Sequence, residues 1–521
     1  MNRKERADLL LKQLCNGLYE KEQAVALSLL CAVAGESIFL LGPPGVAKSM
    51  IARRMKQAFR DGKNFEYLMS RFSTPDEIFG PVSISRLKDE DKYEHITDGY
   101  LPEADVVFLD EIWKAGPSIQ NTLLTVLNEK IFRNGQNTVP LPLKLLISAS
   151  NELPAEGEGL EALWDRFLIR YFVNPIEDPS SFEYMITSGS SQIEAEVDNS
   201  LSFSEEEYHE WHEQSKKTAY SAGIMQTIHA IKNLINEYNQ HDEREEERQP
   251  LYISDRRWKK IFGLLRTAAF INNETNIHYA DCSLMMYCLW DNPDQLDDIE
   301  EIVNKGIHQG MRIGIGLEDL RQEVLRIQDD MRSFTSVKEM TDHSIKTVNS
   351  FFHQINGYST RGRVLIYAAE YEALKMNEST MFYFSKPKNM TNTYVMKRYD
   401  RTKLLNIDPR NIIQISKGVR SVIISGTSYP LELEQDAKPL DLNHTDKDIE
   451  NRIGKCIDHY QLLLDEYKHL EAEEADYING SLFIDNRQKR ALRKAFKEMR
   501  TEITDYNNEI KEIQQTYYGQ G

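Results

Sequence analysis

The sequence predicts an α/β core built on a parallel sheet, then a small α-helical lid domain, then a three-helix bundle that carries a small β-rich domain. Three observations lead to this fold class. Short apolar strands alternate with helical segments up to about residue 178. One of these strands runs into a glycine-containing loop that opens a helix. Beyond residue 296, apolar residues recur every three or four positions over long stretches.

Length and composition limit what the chain can be. With 521 residues it is too long for one hydrophobic core, so we expect about two to four domains. No apolar run approaches the ~20 residues that span a bilayer, and the N-terminus lacks the apolar core of a signal peptide. The five cysteines form no CxxC pair, so neither a disulfide framework nor a cysteine zinc site is indicated, and a reducing cytoplasm fits. The net charge of −19 disfavours a nucleic-acid binder and favours a protein partner.

The most informative segment is the glycine-containing loop between an apolar strand and a helix. Such a loop turns backbone N–H groups and a helix N-terminus toward phosphate oxygens. Its lysine supplies a point charge and its serine a magnesium ligand. Glycine usually precedes that lysine, whereas alanine does here. The residues predicted to bind the nucleotide in this phosphate loop are Gly42, Pro43, Pro44, Gly45, Val46, Ala47, Lys48 and Ser49.

Polar residues follow two further apolar strands. Asp110 and Glu111 come after one strand and Asn151 after another. Ligands of a parallel sheet bind beyond the carboxyl ends of its strands, so these residues and the phosphate loop should meet in one crevice. Asp110 is suited to bind Mg²⁺ together with Ser49. Glu111 is suited to orient and deprotonate the attacking water, and Asn151 to position it. The acidic pair alone could equally be an ordinary turn, but together with the phosphate loop it indicates a nucleoside triphosphatase.

Several motifs together resemble the MoxR branch of the AAA+ ATPases, over roughly residues 15–290. Alanine before the loop lysine is usual in that branch. Within the branch, the sequence is most similar to the regulatory ATPase variants. The motifs that carry the resemblance are Gly42–Ser49, Arg71–Asp76, Gly99–Pro102, Phe108–Glu111, Leu123–Glu129, Phe132–Gly135, Ser150–Glu152 and Ser254–Lys260.

The resemblance implies an enzyme that binds ATP and Mg²⁺, hydrolyses ATP and forms a ring, usually a hexamer. Leu163–Phe167 looks like the family's arginine-finger segment, so Arg166 would reach the γ-phosphate held by the neighbouring subunit. Arg170 could instead be the finger, or the two could share the role. Arg256 resembles the sensor 2 arginine, which follows the nucleotide of its own subunit from the lid. The expected catalytic residues are Glu111, Asn151, Arg166 and Arg256.

Two segments are predicted to form hairpins that interrupt the core. Val82–Ile96 has two alternating halves around an acidic turn, and the resembling family places such an insert toward the central pore. Ile131–Gly135 contains Asn-Gly between apolar residues, a strong hairpin signal. Further along, the charge run Asp242–Arg248 indicates a solvated helix end or loop. His209 and His212 lie three apart on a predicted helix, but without further ligands a zinc site there is disfavoured.

Three segments of the C-terminal part carry apolar stripes of about three heptads or more, which predict long helices packed through a seam. A short link around Tyr477–Asn486 joins the second helix to the third, so these two should lie antiparallel. The first helix completes the three-helix bundle. The stripe residues are Leu317, Leu320, Val324, Ile327, Met331 and Phe334, then Ile449, Ile453, Cys456, Tyr460, Leu463, Tyr467 and Leu470, then Leu492, Phe496, Met499, Ile503, Tyr506, Ile510, Ile513 and Tyr517.

Between the first two of these helices, short β-like segments alternate with turns rich in Asn, Pro and Gly, which predicts a β-rich domain exposed for docking a partner. Its predicted strands are Val364–Glu370, Met381–Ser385, Thr393–Arg398, Ile412–Ser416 and Ser421–Ser425. The predicted domains are 1–178 for the αβα nucleotide-binding part, 179–295 for the all-α lid, 296–356 with 443–521 for the bundle, and 357–442 for the β-rich domain.

The resemblance also implies partners. MoxR-type proteins form homo-oligomers and usually work with a protein that bears a von Willebrand factor A domain. In the regulatory ATPase variants a compact domain at this place binds an inducible lysine decarboxylase, but its residues cannot be matched in this chain. Three functions stay open: a ring ATPase that remodels a partner protein, a nucleotide-gated adaptor with secondary hydrolysis, and a DNA or RNA motor. The complete set of hydrolytic residues weakens the second, and the acidic charge disfavours the third.

Overall fold

The computed structural model describes residues 1–155, 157, 159–187, 197–240, 250–339, 345–358, 362–375, 379–387, 392–400, 407–433 and 442–518. The chain divides into two compact units. The first comprises Met1–Gly314 and Leu470–Lys497, and the second Ile315–His469 and Glu498–Gly521. The charge run Asp242–Arg248 lies outside the described residues. No helix in the described ranges is both long and apolar enough to cross a membrane.

The strands of the first unit are β1 Ser37–Leu41, β2 Asn64–Leu68, β3 Val106–Asp110, β4 Ile131–Asn134, β5 Asn137–Pro140, β6 Leu145–Ser150 and β7 Ile169–Phe172. Five of them form a parallel sheet in the order β2-β3-β6-β1-β7. The central strands β1 and β6 are buried along their whole length, as expected for a parallel sheet covered on both faces. The sheet thus brings β1, which leads into the phosphate loop, next to β6.

The helices of the first unit up to its lid are α1 Arg3–Leu14, α2 Glu22–Ala34, α3 Lys48–Lys56, α4 Pro75–Phe79, α5 Ile84–Glu90, α6 Pro117–Glu129, α7 Glu161–Trp164, α8 Pro179–Thr187 and α9 Glu205–Ser215. Helix α2 is apolar on nearly every side and buried over ten consecutive residues, from Ala24 to Val33. It therefore covers the sheet as a core helix, which matches the apolar helix predicted before β1.

The two predicted hairpin inserts have different outcomes. The second is confirmed, since β4 and β5 pair as an antiparallel hairpin. The first, Val82–Ile96, is wrong: the segment contains helix α5, and a single bridge joins Val82 to His95. Ser83 caps this helix by accepting the N–H of Arg86 at 3.4 Å, and Arg86 also pairs with Glu94. A helix cap and an ion pair across the turn outweigh the weak period-two pattern.

The lid consists of α10 Ala222–Asn239, α11 Asp255–Ile271, α12 Met286–Leu289 and α13 Leu296–Gly314. Helices α10 and α13 touch through glycine. A Cβ on Gly306 would lie 2.2 Å from Ile231 Cγ1, and one on Gly310 would lie 1.9 Å from Thr227 Oγ1. This close packing makes α13 part of the lid, whereas the predicted boundary assigned residues from 296 onward to the bundle.

The C-terminal helices are α14 Leu317–Glu339, α15 Ala368–Glu372, α16 Leu442–Gly480 and α17 Asn486–Tyr518. Residues Leu470–Lys497, which we call the hairpin tip, join the end of α16 to the start of α17 and belong to the first unit. The prediction assigned all of 443–521 to the bundle. The tip packs against the lid instead, because its buried polar groups bond to lid residues.

Glu474 is the main polar contact of the hairpin tip and is only 2% exposed. Its carboxylate accepts the N–H groups of Tyr279 at 2.8 Å and Ala280 at 3.1 Å, and lies 3.2 Å from Nδ1 of His278. Burial lowers the pKa of His278, but the hydrogen bond and charge of Glu474 outweigh it and raise the pKa to about 9. The carboxylate thus satisfies three donors of the lid at once.

In the second unit, polar side chains of α14 contact both α16 and α17. His459 of α16 lies 3.1 Å from Glu323 of α14, and Gln328 of α14 donates to Glu509 of α17 at 3.4 Å. The structure does not describe the side chains of two stripe residues, Phe334 and Tyr517. The buried stripe residues of this unit are Leu317, Leu320, Val324, Ile327, Met331, Ile449, Ile453, Cys456, Tyr460, Leu463, Tyr467, Met499, Ile503, Ile510 and Ile513.

The β-rich domain contains β8 Phe352–Ile355, β9 Arg363–Tyr367, β10 Thr380–Ser385, β11 Thr393–Arg398, β12 Ile412–Gly418, β13 Ser421–Ile424 and β14 Thr427–Pro430. They form one seven-stranded sheet in the order β14-β13-β12-β10-β11-β9-β8. Ile355 at the end of β8 bridges to Leu431 just after β14, so the two edge strands meet. Strands β8 and β14 were not predicted, and β8 precedes the predicted boundary at residue 357. Closure leaves little free edge for another strand to join.

We expect Glu474→Ala to destabilise the first unit by about 2–4 kcal/mol, because it leaves buried donors of the lid without an acceptor. Glu473→Ala is the matched control, since Glu473 is exposed on the same helix. Thermal and urea unfolding, followed by tryptophan fluorescence, measure the effect. Equal losses for the two variants would contradict this account of how the tip is held.

Candidate nucleotide site

The carboxyl ends of three adjacent strands bring the predicted residues together. Strand β1 pairs in parallel register with β6, so that Leu41 lies opposite Ser150. Strand β6 pairs likewise with β3, so that Ala149 lies opposite Asp110. The phosphate loop, the acidic pair and the asparagine after β6 therefore leave the sheet at the same edge.

Two features fix the backbone of the phosphate loop: the close contact of Gly42 with Val173 and the left-handed conformation of Ala47. A Cβ on Gly42 would lie 2.4 Å from the carbonyl oxygen of Val173, so only glycine fits there. Ala47, at the position where glycine is usual, has φ of 67° and precedes α3 as its N-cap. A side chain in that region costs about 1–2 kcal/mol. Ile51 N–H makes an α-helical bond to Ala47 O at 3.0 Å, and the N–H groups before it lack such partners, as an anion site requires.

Lys48 lies at the start of α3 and is 9% exposed. Its ammonium donates to the carbonyl oxygens of Gly42 and, at 3.1 Å, of Pro43. Burial lowers the pKa of Lys48, and the charges of Asp110 and Glu111 act in the opposite direction. Burial is also the main reason why the pKa of Asp110 is raised. The lysine and the acidic pair are thus within electrostatic reach of each other, as a phosphate and its cation require.

The acidic pair is held in a defined backbone conformation. Glu111 has φ of 53°, and its N–H donates to Ala149 O at 2.8 Å. Its carboxylate lies 3.2 Å from the Lys114 ammonium. The Ser49 hydroxyl and the Asp110 carboxylate offer oxygen ligands, the type that Mg²⁺ takes in proteins together with phosphate and water. The residues present therefore fit a magnesium–nucleotide complex. Asn151 follows β6 and is exposed at this edge.

The two histidines of α9 have other contacts. His212 Nδ1 lies 2.9 Å from the carbonyl oxygen of Val33, and His209 Nε2 lies 3.0 Å from Glu205. Among the described residues, no group of three or more His, Cys, Asp or Glu side chains could hold a metal ion.

Arg170 is buried inside its own subunit. It is 1% exposed and donates to the carbonyl oxygens of Trp290 and, at 3.1 Å, of Trp164. It also pairs with Asp291, and its guanidinium carbon lies 3.9 Å from the ring centre of Trp164. These contacts engage the Arg170 guanidinium within its own chain, which favours Arg166 over Arg170 as the predicted finger.

Arg166 and Arg256 lie on two elements that meet at the other end of the sheet. Leu168, two residues after Arg166, donates its N–H to the oxygen of Ser37, the first residue of β1, at 3.1 Å. Burial lowers the pKa of Arg166, and the charge of Arg256 lowers it further. Arg256 Nη1 donates to Asn128 Oδ1 at 3.0 Å. Asn128 is in the last turn of α6, so this contact is near the amino end of the strands. The role of Arg256 toward a nucleotide stays a prediction.

The sequence did not reveal two residues that organise this arginine pair. Arg257 is 2% exposed and donates to the carbonyl oxygens of Cys288 at 2.7 Å and Phe167 at 3.1 Å. Asp165 bonds to Arg166 at 2.8 Å and lies 3.7 Å from Arg257. The only signal was a pair of adjacent arginines after a helix-capping serine, which does not say which arginine points inward.

Known proteins match the region that contains this site. The family model of the MoxR domain in the MoxR-vWA-beta-propeller ternary systems matches residues 5–212, and an AAA lid domain model matches residues 223–303. An uncharacterised protein of Methanocaldococcus jannaschii is 33% identical over 284 residues, 54% of this chain and 70% of that protein. A second uncharacterised protein of that organism is 34% identical over 276 residues, 53% of this chain and 69% of that protein.

The chaperone MoxR1 of Mycobacterium tuberculosis is 29% identical over 170 residues, which cover 32% of this chain and 43% of that protein. The matched models cover the parallel sheet with its phosphate loop and the helical lid that follows it. From these matches and this fold, the chain belongs to the MoxR family of AAA+ ATPases.

Proposed function

We propose that this protein is a magnesium-dependent ATPase that works as a hexameric ring and remodels or regulates a partner protein. One observation carries the proposal: the phosphate loop and acidic pair are at one end of the parallel strands, and the arginine pair is at the other. A nucleotide bound at one end can meet such arginines only from a second subunit.

The hydrolytic roles follow from the chemistry of each group. Lys48 binds the β- and γ-phosphates as a point charge, and the loop N–H groups bind their oxygens. Mg²⁺, held by Ser49 and Asp110, would neutralise charge on the phosphates. Glu111 orients the attacking water and accepts its proton, and Asn151 positions that water.

The trans role of the arginines follows from strand length. Strand β1 has five residues, which at about 3.3 Å per residue separate its ends by about 13 Å. Arg166 lies near the first of these residues and the phosphate loop follows the last. We therefore assign Arg166 and Arg256 together to the neighbouring subunit's nucleotide. Charge supplied in this way can contribute about 10³–10⁵ in rate.

The partner is inferred from the family. The matching model is described from systems that combine MoxR with vWA and beta-propeller proteins, and one relative is named a chaperone. These descriptions support a von Willebrand factor A domain protein as partner. Docking through the β-rich sheet stays a prediction. An inducible lysine decarboxylase stays a prediction that rests on the resemblance alone.

Binding variants test the phosphate loop. We expect Lys48→Ala and Gly42→Ala each to weaken ATP binding by about tenfold to a hundredfold, the first by losing a charged donor and the second by displacing the loop from Val173. Titration calorimetry with ATP and Mg²⁺ measures the loss. Gly263→Ala is the control, because a Cβ there meets nothing within 4 Å. Unchanged affinity in Lys48→Ala would remove the basis of the proposal.

Mixed rings test the trans assignment. Arg166→Ala and Glu111→Gln should each lose most of their turnover alone, leaving a small residual rate, while still binding ATP. Mixed in equal amounts, they should recover about a quarter of the wild-type rate, because half of the subunits keep Glu111 and half of those meet an intact Arg166. The control mixes Arg166→Ala with a chain that carries both substitutions, and it should stay inactive. Repeating the mixture with Arg256→Ala examines the second arginine. No recovery would place these arginines in their own subunit's site.

Nucleotide dependence of partner capture tests the wider role. With ATP and Mg²⁺, Glu111→Gln should retain a von Willebrand factor A domain protein of the same organism on size-exclusion chromatography, whereas Lys48→Ala should not. If Glu111→Gln also supports the partner's full activity, turnover is not the motor and the chain acts as an adaptor. Equal retention by both variants would contradict nucleotide control altogether.

A further inference from the structure

One carboxylate touches both elements that carry the arginine pair. Asp165 Oδ2 accepts from Arg166 Nη1 at 2.8 Å, in the segment before β7. The Ser254 hydroxyl donates to Asp165 Oδ1 at 3.3 Å, and Ser254 is the N-cap of α11. Arg257 Nη1, in the first turn of α11, stands 3.7 Å from the same Oδ1. Arg256 belongs to that same turn. The lid helix and the arginine-finger segment therefore meet at a single side chain.

We propose that Asp165 is a positioning residue that holds Arg166 and Arg256 side by side, so that both guanidinium groups meet the neighbouring subunit's triphosphate together. The inference rests on the trans roles proposed above. Asp165 precedes β7 at the amino end of the sheet, so it does not contact a nucleotide at its own phosphate loop. Any effect it has on turnover must act through the arginines.

The need for a carboxylate here is electrostatic. Arg166, Arg256 and Arg257 carry like charges, which repel strongly where water is partly excluded. Arg166 and Arg256 lie on the two elements that meet at Asp165. Burial and then the charge of Arg256 lower the pKa of Arg166. Asp165 places one negative charge against Arg166 and near Arg257. Without this negative charge, repulsion between the guanidinium groups would push Arg166 and Arg256 apart.

The remaining contacts make Asp165 a link between two fixed elements. Arg257 is buried, and its other donors are bonded to backbone oxygens of Phe167 and Cys288. Arg166 is 14% exposed, and a guanidinium paired through Nη1 keeps further N–H donors for a phosphate. Arg256 is exposed. The arrangement thus keeps the pair in place while leaving it able to bind an anion.

A double-mutant cycle in the full-length protein tests this role. Asp165→Asn keeps the shape and an acceptor oxygen but removes the charge. We expect it to lower kcat about tenfold with the KM for ATP unchanged, and to cause no further loss in an Arg166→Ala background. Glu207→Gln is the control, because it removes a carboxylate that pairs with Arg6 at 2.8 Å, away from the arginine pair. It should leave kcat unchanged.

A second variant tests the same role in case Asp165→Asn does not fold. Ser254→Gly removes the hydroxyl that joins α11 to Asp165, and glycine is nearly as good an N-cap as serine. It should lower kcat about twofold to threefold, again only when Arg166 is present. Thermal unfolding of each variant accompanies the kinetics.

The outcomes separate the two proposals. If Asp165→Asn lowers kcat by the same factor with and without Arg166, or leaves kcat unchanged, Asp165 does not act through the arginine pair and the inference is overturned. If Arg166→Ala itself hydrolyses ATP normally, the proposed trans role is wrong, and the inference that rests on it is wrong as well. A loss confined to chains that retain Arg166 supports both.

Discussion

The parallel register of β6 with β1 on one side and β3 on the other is the constraint on which the nucleotide site depends. It aligns Leu41 with Ser150 and Ala149 with Asp110, so that three chain segments leave the sheet at one level. A shift of one residue would move a segment by about 3.3 Å and would turn its side chains to the opposite face. Burial of β1 and β6 over their full length resists such a shift. The core therefore determines the geometry of the site.

The same strands separate the phosphate loop and the acidic pair from the arginine pair. At their carboxyl ends the loop backbone adopts costly conformations, with positive φ at Ala47 and Glu111. Such conformations persist only where the surrounding structure holds them, and they are common at functional sites. At their amino ends the buried Arg170 and Arg257 hold the lid against the core through backbone oxygens. Arg256 is exposed and Arg166 partly exposed, which is why the proposed function assigns an external anion to these two arginines and not to the buried pair.

How much the sequence could predict depends on how local each feature is. The phosphate loop is one continuous segment with a fixed backbone demand, and the Asn-Gly turn of β4–β5 is equally local, so both could be recognised. The direction of Arg256 could not, because it depends on how the lid helix α11 meets the core. The helix in Val82–Ile96 was missed because the alternating pattern of this segment is weak. The Ser83 cap and the Arg86–Glu94 ion pair stabilise a helix there instead.

The C-terminal part shows the same limit at longer range. The stripes predicted three helices, and their described positions are buried except Leu470 and Tyr506, which are partly buried. A stripe indicates that a face is covered but not what covers it, so the prediction could not tell that the hairpin tip packs on the lid. Strands β8 and β14 were missed because they are four residues long and carry polar residues such as His353, Gln354 and Ser428. Each pairs with a strand next to it in sequence, β8 with β9 and β14 with β13, and only the bridge between their free edges spans a long sequence separation.

The contact between the hairpin tip and the lid means that the ATPase module is not one continuous stretch of sequence. A chain shortened after Gly314 would still contain every residue of the nucleotide site, yet it would expose the lid surface that Glu474 and Tyr477 cover. We therefore expect the catalytic part expressed alone to be more stable when Leu470–Lys497 is attached to it, because the buried donors of the lid then keep their acceptor.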